Sequence, residues 1–432
     1  MKTRTHFTVF LVACFCCVRA GVFGQGYENL TDIEKRFEKI AEKSGGDASW
    51  EFLQDLQGRN RVFVDNAPNA KGMEDIKDRF VWLLKIVKQG KNLPPEGKRL
   101  SILVTGTQHA GEWVAYKAVQ TAAEFILANK NKTDWPAEPR FQYFTKFKDA
   151  NIKRLTDDAN LFMIPVANPL GYQFSRIDVK KNELPPTEQG WRKNRQPTRL
   201  DKKDIYPPAP EEPAGANDTI IGVDMNRNFP TLNPAWATIT IDPKTKRVTT
   251  SRDRAADTYC GRPEKGWNAK PLLPDPEGES QCIMKLAQDR LFVGYIDLHS
   301  VFGLVGRPTN PDAVNKNLRP AGGLTDEKVF EQLTEQAAKL IIDPRDKKNY
   351  KAGKLYPTSG TTRDWLYEQT NKKCLACLIE IGNLLKEDPL QGEYRPASPQ
   401  PHADAVLPGV LFLMLAAVDK SFPSEPKGGL EK

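Results

Sequence analysis

Four runs in this chain are apolar at nearly every position: RLSILVTG at 99–106, ANLFMIPVANPLGY at 159–172, LFVGYIDLHS at 291–300 and CLACLIEIG at 374–382. Such runs read as buried strands, the second ending in a turn. Helical periodicity separates them, at 112–129 and again in ADAVLPGVLFLMLAAVDK at 403–420. Strands alternating with helices make the class α/β, and the expected architecture is one domain with a mixed, mainly parallel sheet flanked by helices.

Lesser elements fill in around this frame. Thr31-Asp32-Ile33-Glu34 reads as a capping box opening a helix with Ile33, Phe37 and Ile40 on one face, closed by Gly45-Gly46. RVFV at 61–64 and FVWLLKIV at 80–87 are strand-like. Residues 196–220 and 235–275 carry Pro, Gly and charge without periodicity and read as long surface excursions. No internal repeat is present.

Lys2 and Arg4 precede the apolar run FTVFLVACFCCV, and Val18-Arg19-Ala20 offers a cleavage point, so residues 1–20 read as a secretory signal. Neither that run nor the C-terminal apolar stretch is expected to span a bilayer. Sequons at Asn29, Asn131 and Asn217 agree with secretion and glycosylation. Of the seven cysteines, Cys260, Cys282, Cys374 and Cys377 lie beyond the signal; they allow three complete pairings, and Cys260 with Cys282 is favoured. The CxxC at 374–377 sits in a strand-like stretch whose odd spacing sends the two side chains to opposite faces. Loss of Lys2, Arg4 and Arg19 lowers the net charge from +8 to +5, too mild and dispersed to point to nucleic acid or a membrane surface.

Beyond the signal only His109, His299 and His402 remain. His109 stands in TGTQHAGEW where a strand gives way to a helix, with Glu112 three positions on, and His299 ends YIDLHS. Ligands and metals collect at the carboxyl ends of strands in open α/β sheets. Two imidazoles and a carboxylate suit catalytic zinc, which takes three protein ligands. His402 reads as a surface or capping residue.

In order along the chain, HAGEW, NPLGY, WRKNR, GVDMNRNFP, YIDLHS, the loop from Tyr356 to Trp365 and Leu378-Ile379-Glu380 resemble the motifs of the carboxypeptidase A type of zinc metallocarboxypeptidase. The resemblance runs from about Tyr27 to the C-terminal helix. It implies an eight-stranded type of sheet, a catalytic domain over 27–420 followed by a tail at 421–432, and one Zn2+ per chain held by His109, Glu112 and His299. It implies Glu380 as the general base that takes a proton from the attacking water, and Arg192 as the group that stabilises the developing oxyanion. Arg227, helped by Asn226 and Tyr356, would hold the free carboxylate of a peptide or protein C-terminus, a task for which a guanidinium fork is suited.

Arg363 occupies the position of that loop which lines the pocket for the leaving side chain in the family. A basic residue there implies a preference for Glu or Asp at the substrate terminus, since a buried charge is tolerated only when paired. The alternative is that Arg363 turns to Asp364 or solvent and leaves specificity to residues such as Leu378. Gly111 and Gln189 stand where many members carry arginines, which implies weaker subsites beyond the terminal residue. The helix at Thr31 resembles the start of the catalytic domain, so no inhibitory pro-domain is expected, and the enzyme should be a monomer. Two rival readings are a zinc amidase for muropeptide-like substrates and a secreted binding protein that has lost catalysis.

Overall fold

The structure, a computed structural model, describes residues 27–58, 79–147, 151–181, 192, 194, 224–229, 239–241, 248–250, 277–290, 292–308, 326–354, 360–368, 374–383, 396 and 398–419. The signal at 1–20, the strand-like run at 61–64, the excursion at 196–220 and most of that at 235–275 lie outside them. So do Gln189, Asn217, Cys260, Tyr356 and the tail at 421–432.

Ten strands are described: β1 (Ala48–Phe52), β2 (Trp82–Ile86), β3 (Leu100–Gly106), β4 (Ala159–Ile164), β5 (Ile239–Ile241), β6 (Val248–Thr250), β7 (Phe292–His299), β8 (Leu304–Gly306), β9 (Lys351–Gly353) and β10 (Leu375–Glu380). Eight of them form one sheet in the order β1-β2-β4-β3-β7-β10-β8-β9, and β5 and β6 pair as a separate hairpin. The centre, β4-β3-β7-β10, is parallel, whereas β1-β2, β2-β4 and β10-β8 are antiparallel. The all-apolar runs are those central strands: every residue of β4 and β10 is buried, as expected for strands covered on both faces.

The helices are α1 (Leu30–Glu42), α2 (Val114–Asn129), α3 (Ile152–Asp158), α4 (Pro169–Lys181), α5 (Gly278–Asp289), α6 (Asp326–Lys339), α7 (Thr362–Glu368) and α8 (Pro399–Val418). In α1 the cap is Asn29, whose Oδ1 accepts the amide of Asp32 at 2.8 Å, rather than the expected Thr31 box. An Asn in extended conformation satisfies a first-turn amide as well as Thr does, and Leu30 already lies in the core. The run after β4 continues through Asn168 into α4 instead of ending in a turn; Asn168 accepts the Gly171 amide, and Pro169 at the first helical position has no amide to leave unpaired.

β1 has no continuous apolar run and is half exposed, so its strand character is invisible to pattern. Aromatic stacking holds it: Trp50 lies between Phe37 of α1 and Trp82 of β2, with ring centroids 5.3 and 5.2 Å away.

Helices cover both faces of the sheet. α8 packs against α2, α6 and β7, and α7 packs against β7 and β10. The helix is 20 residues long and apolar enough to cross a membrane by length and composition, contrary to the sequence expectation, but 78% of that apolar window is buried inside the protein, which makes it a core helix. It begins at Pro399, four residues before the expected start, and so takes in His402, which is buried and not a surface or capping residue; the residue before the helix is Ser398, which makes no side-chain cap.

Contact between α8 and the sheet is close enough to demand a glycine. A Cβ on Gly294 of β7 would lie 2.6 Å from the Ala417 Cβ. Gly294→Ala is therefore expected to destabilise by about 1–3 kcal/mol through overpacking, read from the midpoint of a urea melt.

Candidate active site

Register places the chemistry. β7 and β10 pair in parallel with Glu380 opposite His299 and Leu378 opposite Asp297, so all four side chains emerge on one face, two of them at the carboxyl ends of their strands. Because Gly294 faces α8, alternation turns Tyr295, Asp297 and His299 to the opposite face, where α7 packs. β3 ends at Gly106, and Thr107, in left-handed conformation at φ 52°, turns the chain so that His109 and Glu112 precede α2.

His109, Glu112 and His299 are all buried, and one ligand atom from each lies within 4.8 Å of the others. His109 Nδ1 is 2.7 Å from Glu112 Oε1, His299 Nδ1 is 2.8 Å from Glu112 Oε2, and the two Nδ1 atoms are 3.0 Å apart. The outer nitrogens face carboxylates: His109 Nε2 is 3.1 Å from Asp224 Oδ1, and His299 Nε2 is 3.0 Å from Asp297 Oδ1 and also 2.9 Å from Asn226 Nδ2. Both Nδ1 atoms and the Glu112 carboxylate therefore converge on one point. That convergence is repulsive unless a cation sits there, and imidazoles oriented by outer carboxylates are the usual arrangement of a metal site. The donor set of two histidines and one glutamate fits catalytic zinc.

Electrostatics follow the same logic. Burial alone would raise Glu112, but the two imidazoles outweigh it and hold its carboxyl below the usual range. Asp224 is buried too, yet the Arg192 guanidinium and then His109 hold it well below the usual range. Arg192, half buried, donates from Nε to Asp224 Oδ2 at 2.5 Å and has Nη1 3.8 Å from Glu112 Oε1. Glu380 is the contrast. Burial, seconded by Glu112 and Asp297, pushes its carboxyl up to about 8, and its Oε2 has no hydrogen-bond partner among the described residues.

The described part of the candidate carboxylate clamp is also brought to this face. Asn226 and Arg227 sit on a short 3-10 turn, capped by the Asp224 side chain, and both are buried. Arg227 Nη1 donates to the Asn226 carbonyl at 2.7 Å. The segment leading into α7 docks directly on this turn: Phe229 N–H donates to the Gly360 carbonyl, and a Cβ on Gly360, at φ +72°, would lie 2.2 Å from the Arg227 carbonyl oxygen.

Arg363, in the first turn of α7, is buried; among the described residues its one hydrogen bond is a long contact of 3.4 Å from Nε to Asp364. A Cβ on Gly306 would lie 3.2 Å from Leu378 and 3.5 Å from Arg363 Nη1, so Gly306 packs closely against both and a larger residue there would crowd them.

The sequence profile of zinc carboxypeptidases matches residues 74–389. The chain belongs to the zinc carboxypeptidase family. A metallocarboxypeptidase A of Trichophyton rubrum is 23% identical over 372 residues, which is 85% of this chain and 69% of that protein. Carboxypeptidase B of Rattus norvegicus is 22% identical over 294 residues, 67% of this chain and 52% of the relative. In fold, this zinc carboxypeptidase is similar to bovine thrombin-activatable fibrinolysis inhibitor in complex with tick carboxypeptidase inhibitor, at TM-score 0.55, 15% identity, 92% coverage of this chain and 98% of that one. The carboxypeptidase A of Helicoverpa armigera gives TM-score 0.53 at 16% identity, covering 92% and 74%. As a zinc carboxypeptidase the protein is a metal-dependent hydrolase of peptides.

Three residues of this zinc carboxypeptidase site were not singled out from sequence: Asp224, Asp297 and Gln108. Their signal was adjacency, each lying within two positions of a candidate residue. Cys377, in β10, is a buried free thiol whose burial pushes it up to about 12, and Cys374 immediately precedes the same strand.

Proposed function

We propose that the protein is a secreted carboxypeptidase that removes single acidic residues from peptide C-termini, with residues 27–420 as its catalytic domain. The observation that carries the substrate class is the buried guanidinium of Arg363, whose one hydrogen bond among the described residues is a long contact to Asp364, close to Gly306 and Leu378.

His109, Glu112 and His299 would hold the zinc, which when bound would supply Lewis acidity for water activation and for polarising the scissile carbonyl. Glu380 takes a proton from the attacking water and passes it to the departing amine. Its orphaned buried carboxylate suits that task, because a base without competing hydrogen bonds is free to accept one. Arg192 stabilises the oxyanion, and its tie to Asp224 aims the guanidinium at the centre. Asn226 and Arg227, with Tyr356, hold the terminal carboxylate. Arg363 pairs with the acidic side chain of the leaving residue.

A panel of blocked dipeptides ending in Glu, Asp, Phe, Leu, Lys and Arg tests this reading. Glu and Asp substrates are expected to lead, and Arg363→Ala to lower their kcat/KM about 10- to 150-fold, the worth of a hydrogen bond to a charged group, with little change for Phe or Leu. A wild-type preference for Phe or Leu would sink the acidic assignment and return specificity to Leu378. Cleavage confined to muropeptide-like amides would sink the peptide reading.

Secretion rests on the signal-like residues 1–20 and on the sequons. Asn131 lies exposed on the turn after α2. Expression in a eukaryotic secretory host is expected to give a glycan on Asn131 that N-glycosidase removes and that Asn131→Gln abolishes; an unshifted band from the medium argues against it.

A further inference from the structure

Gln108 precedes the candidate ligand His109 and is fully buried. Both ends of its amide are engaged. Nε2 donates to Asp297 Oδ1 at 2.7 Å and to Tyr295 Oη at 2.9 Å, while Oε1 accepts from the Thr362 hydroxyl at 2.9 Å. Charge fixes the orientation, because a flipped amide would turn its oxygen onto the Asp297 carboxylate.

Asp297 is the carboxylate behind His299, and it also accepts from Thr105 Oγ1 at 3.0 Å and, through Oδ2, from Asn226 Nδ2 at 3.1 Å. At the other end, the Thr362 amide donates to Asn226 Oδ1 at 3.0 Å, and Thr362 is the residue before Arg363. One neutral side chain therefore touches both the support of a metal-directed histidine and the first residue of the helix that carries Arg363. Every residue of the bridge is buried, so a hydrogen bond lost there leaves a polar group unpaired at a cost.

We propose that Gln108 is a positioning residue that holds the metal centre and the substrate-terminus pocket in register, acting on His299 through Asp297 and on Asn226 and Arg363 through Thr362. The pocket arm rests on the roles proposed above for Asn226 and Arg363; the metal arm does not.

The experiment uses the zinc-loaded enzyme and two readouts: apparent zinc affinity by competition with a chromophoric chelator, and kcat and KM on the best dipeptide of the panel. Gln108→Met keeps the length of the side chain and removes every hydrogen bond of the amide, including a longer one of 3.3 Å from Nε2 to Thr105 Oγ1. It is expected to weaken zinc about 10- to 100-fold, the usual effect of losing an outer partner of a metal ligand, and to raise KM. Thr362→Val removes only the hydroxyl contact. It should raise KM about two- to tenfold, the worth of one neutral hydrogen bond, with kcat and zinc affinity within about twofold of wild type, and Thr362→Ser should restore KM.

Folded Gln108→Met with wild-type zinc affinity overturns the metal arm. If Gln108→Met does not fold, the Thr362 pair decides: a KM that Val leaves unchanged, or that Ser fails to restore, overturns the pocket arm. Weakened zinc in Gln108→Met with an unmoved KM in Thr362→Val supports the metal arm and overturns the pocket arm, while the reading of Arg363 stands or falls separately on the Arg363→Ala panel.

Discussion

Glu380→Gln is expected to lower kcat about a hundred- to ten-thousandfold, with zinc content and KM close to wild type. The amide keeps the shape of the carboxyl but cannot accept and then return a proton. A variant that retains more than a tenth of wild-type kcat would remove Glu380 from the role of base. The same substitution has a second signature in chelator-treated protein. Burial pushes the Glu380 carboxyl up to about 8 in the fold, against an ordinary value near 4.3 in the unfolded chain. The folded state therefore binds the extra proton, and stability is full below the unfolded value and declines as pH rises toward about 8. Glutamine carries no charge at any pH. Chelator-treated Glu380→Gln should thus match wild type at about pH 4 and exceed it in urea melts at about pH 9; the opposite crossing would contradict the buried-carboxyl account.

Removal of the metal is the second large effect. Chelation is expected to abolish hydrolysis, and one equivalent of Zn2+ to restore it. Ligand linkage adds about 2.7 kcal/mol of stability at free zinc a hundred times the dissociation constant, so the melting temperature should fall on chelation and recover on loading. Asp224→Asn sharpens the point. That substitution leaves His109 without the carboxylate that takes its Nε2–H, and the expected result is zinc affinity weakened about 10- to 100-fold. Unchanged zinc binding in Asp224→Asn, or activity that survives exhaustive chelation, would contradict the metal centre as described.

The sequence carried the parts of the molecule that repeat a simple physical pattern. β3, β4, β7 and β10 are mostly apolar because both their faces are covered, and His109, Glu112 and His299 stand out because histidines are few, His299 ending such a strand and His109 following one by three residues. Short peripheral strands carried no such signal: β8 and β9 have three residues each and owe their place to pairing with β10 and with each other. Asp224, Asp297 and Gln108 were silent for a related reason. A buried carboxylate or amide is recognisable only through its partners, and Gln108 finds Thr362 across 254 positions of sequence. His402 went wrong because the true start of α8 lies at Pro399, which moves that histidine from a helix end to a buried first turn.

The burial of α8 against α2, α6 and β7 has a consequence for biogenesis. Synthesis runs from the N-terminus, so all ten described strands leave the ribosome before this helix does. Until it arrives, the α2-covered face of the sheet stays open, and α2 is the helix that begins two residues after Glu112. Ribosome-bound chains halted before Pro399 should therefore be protease-sensitive and inert, and the hydrolytic centre would form only once α8 has been made.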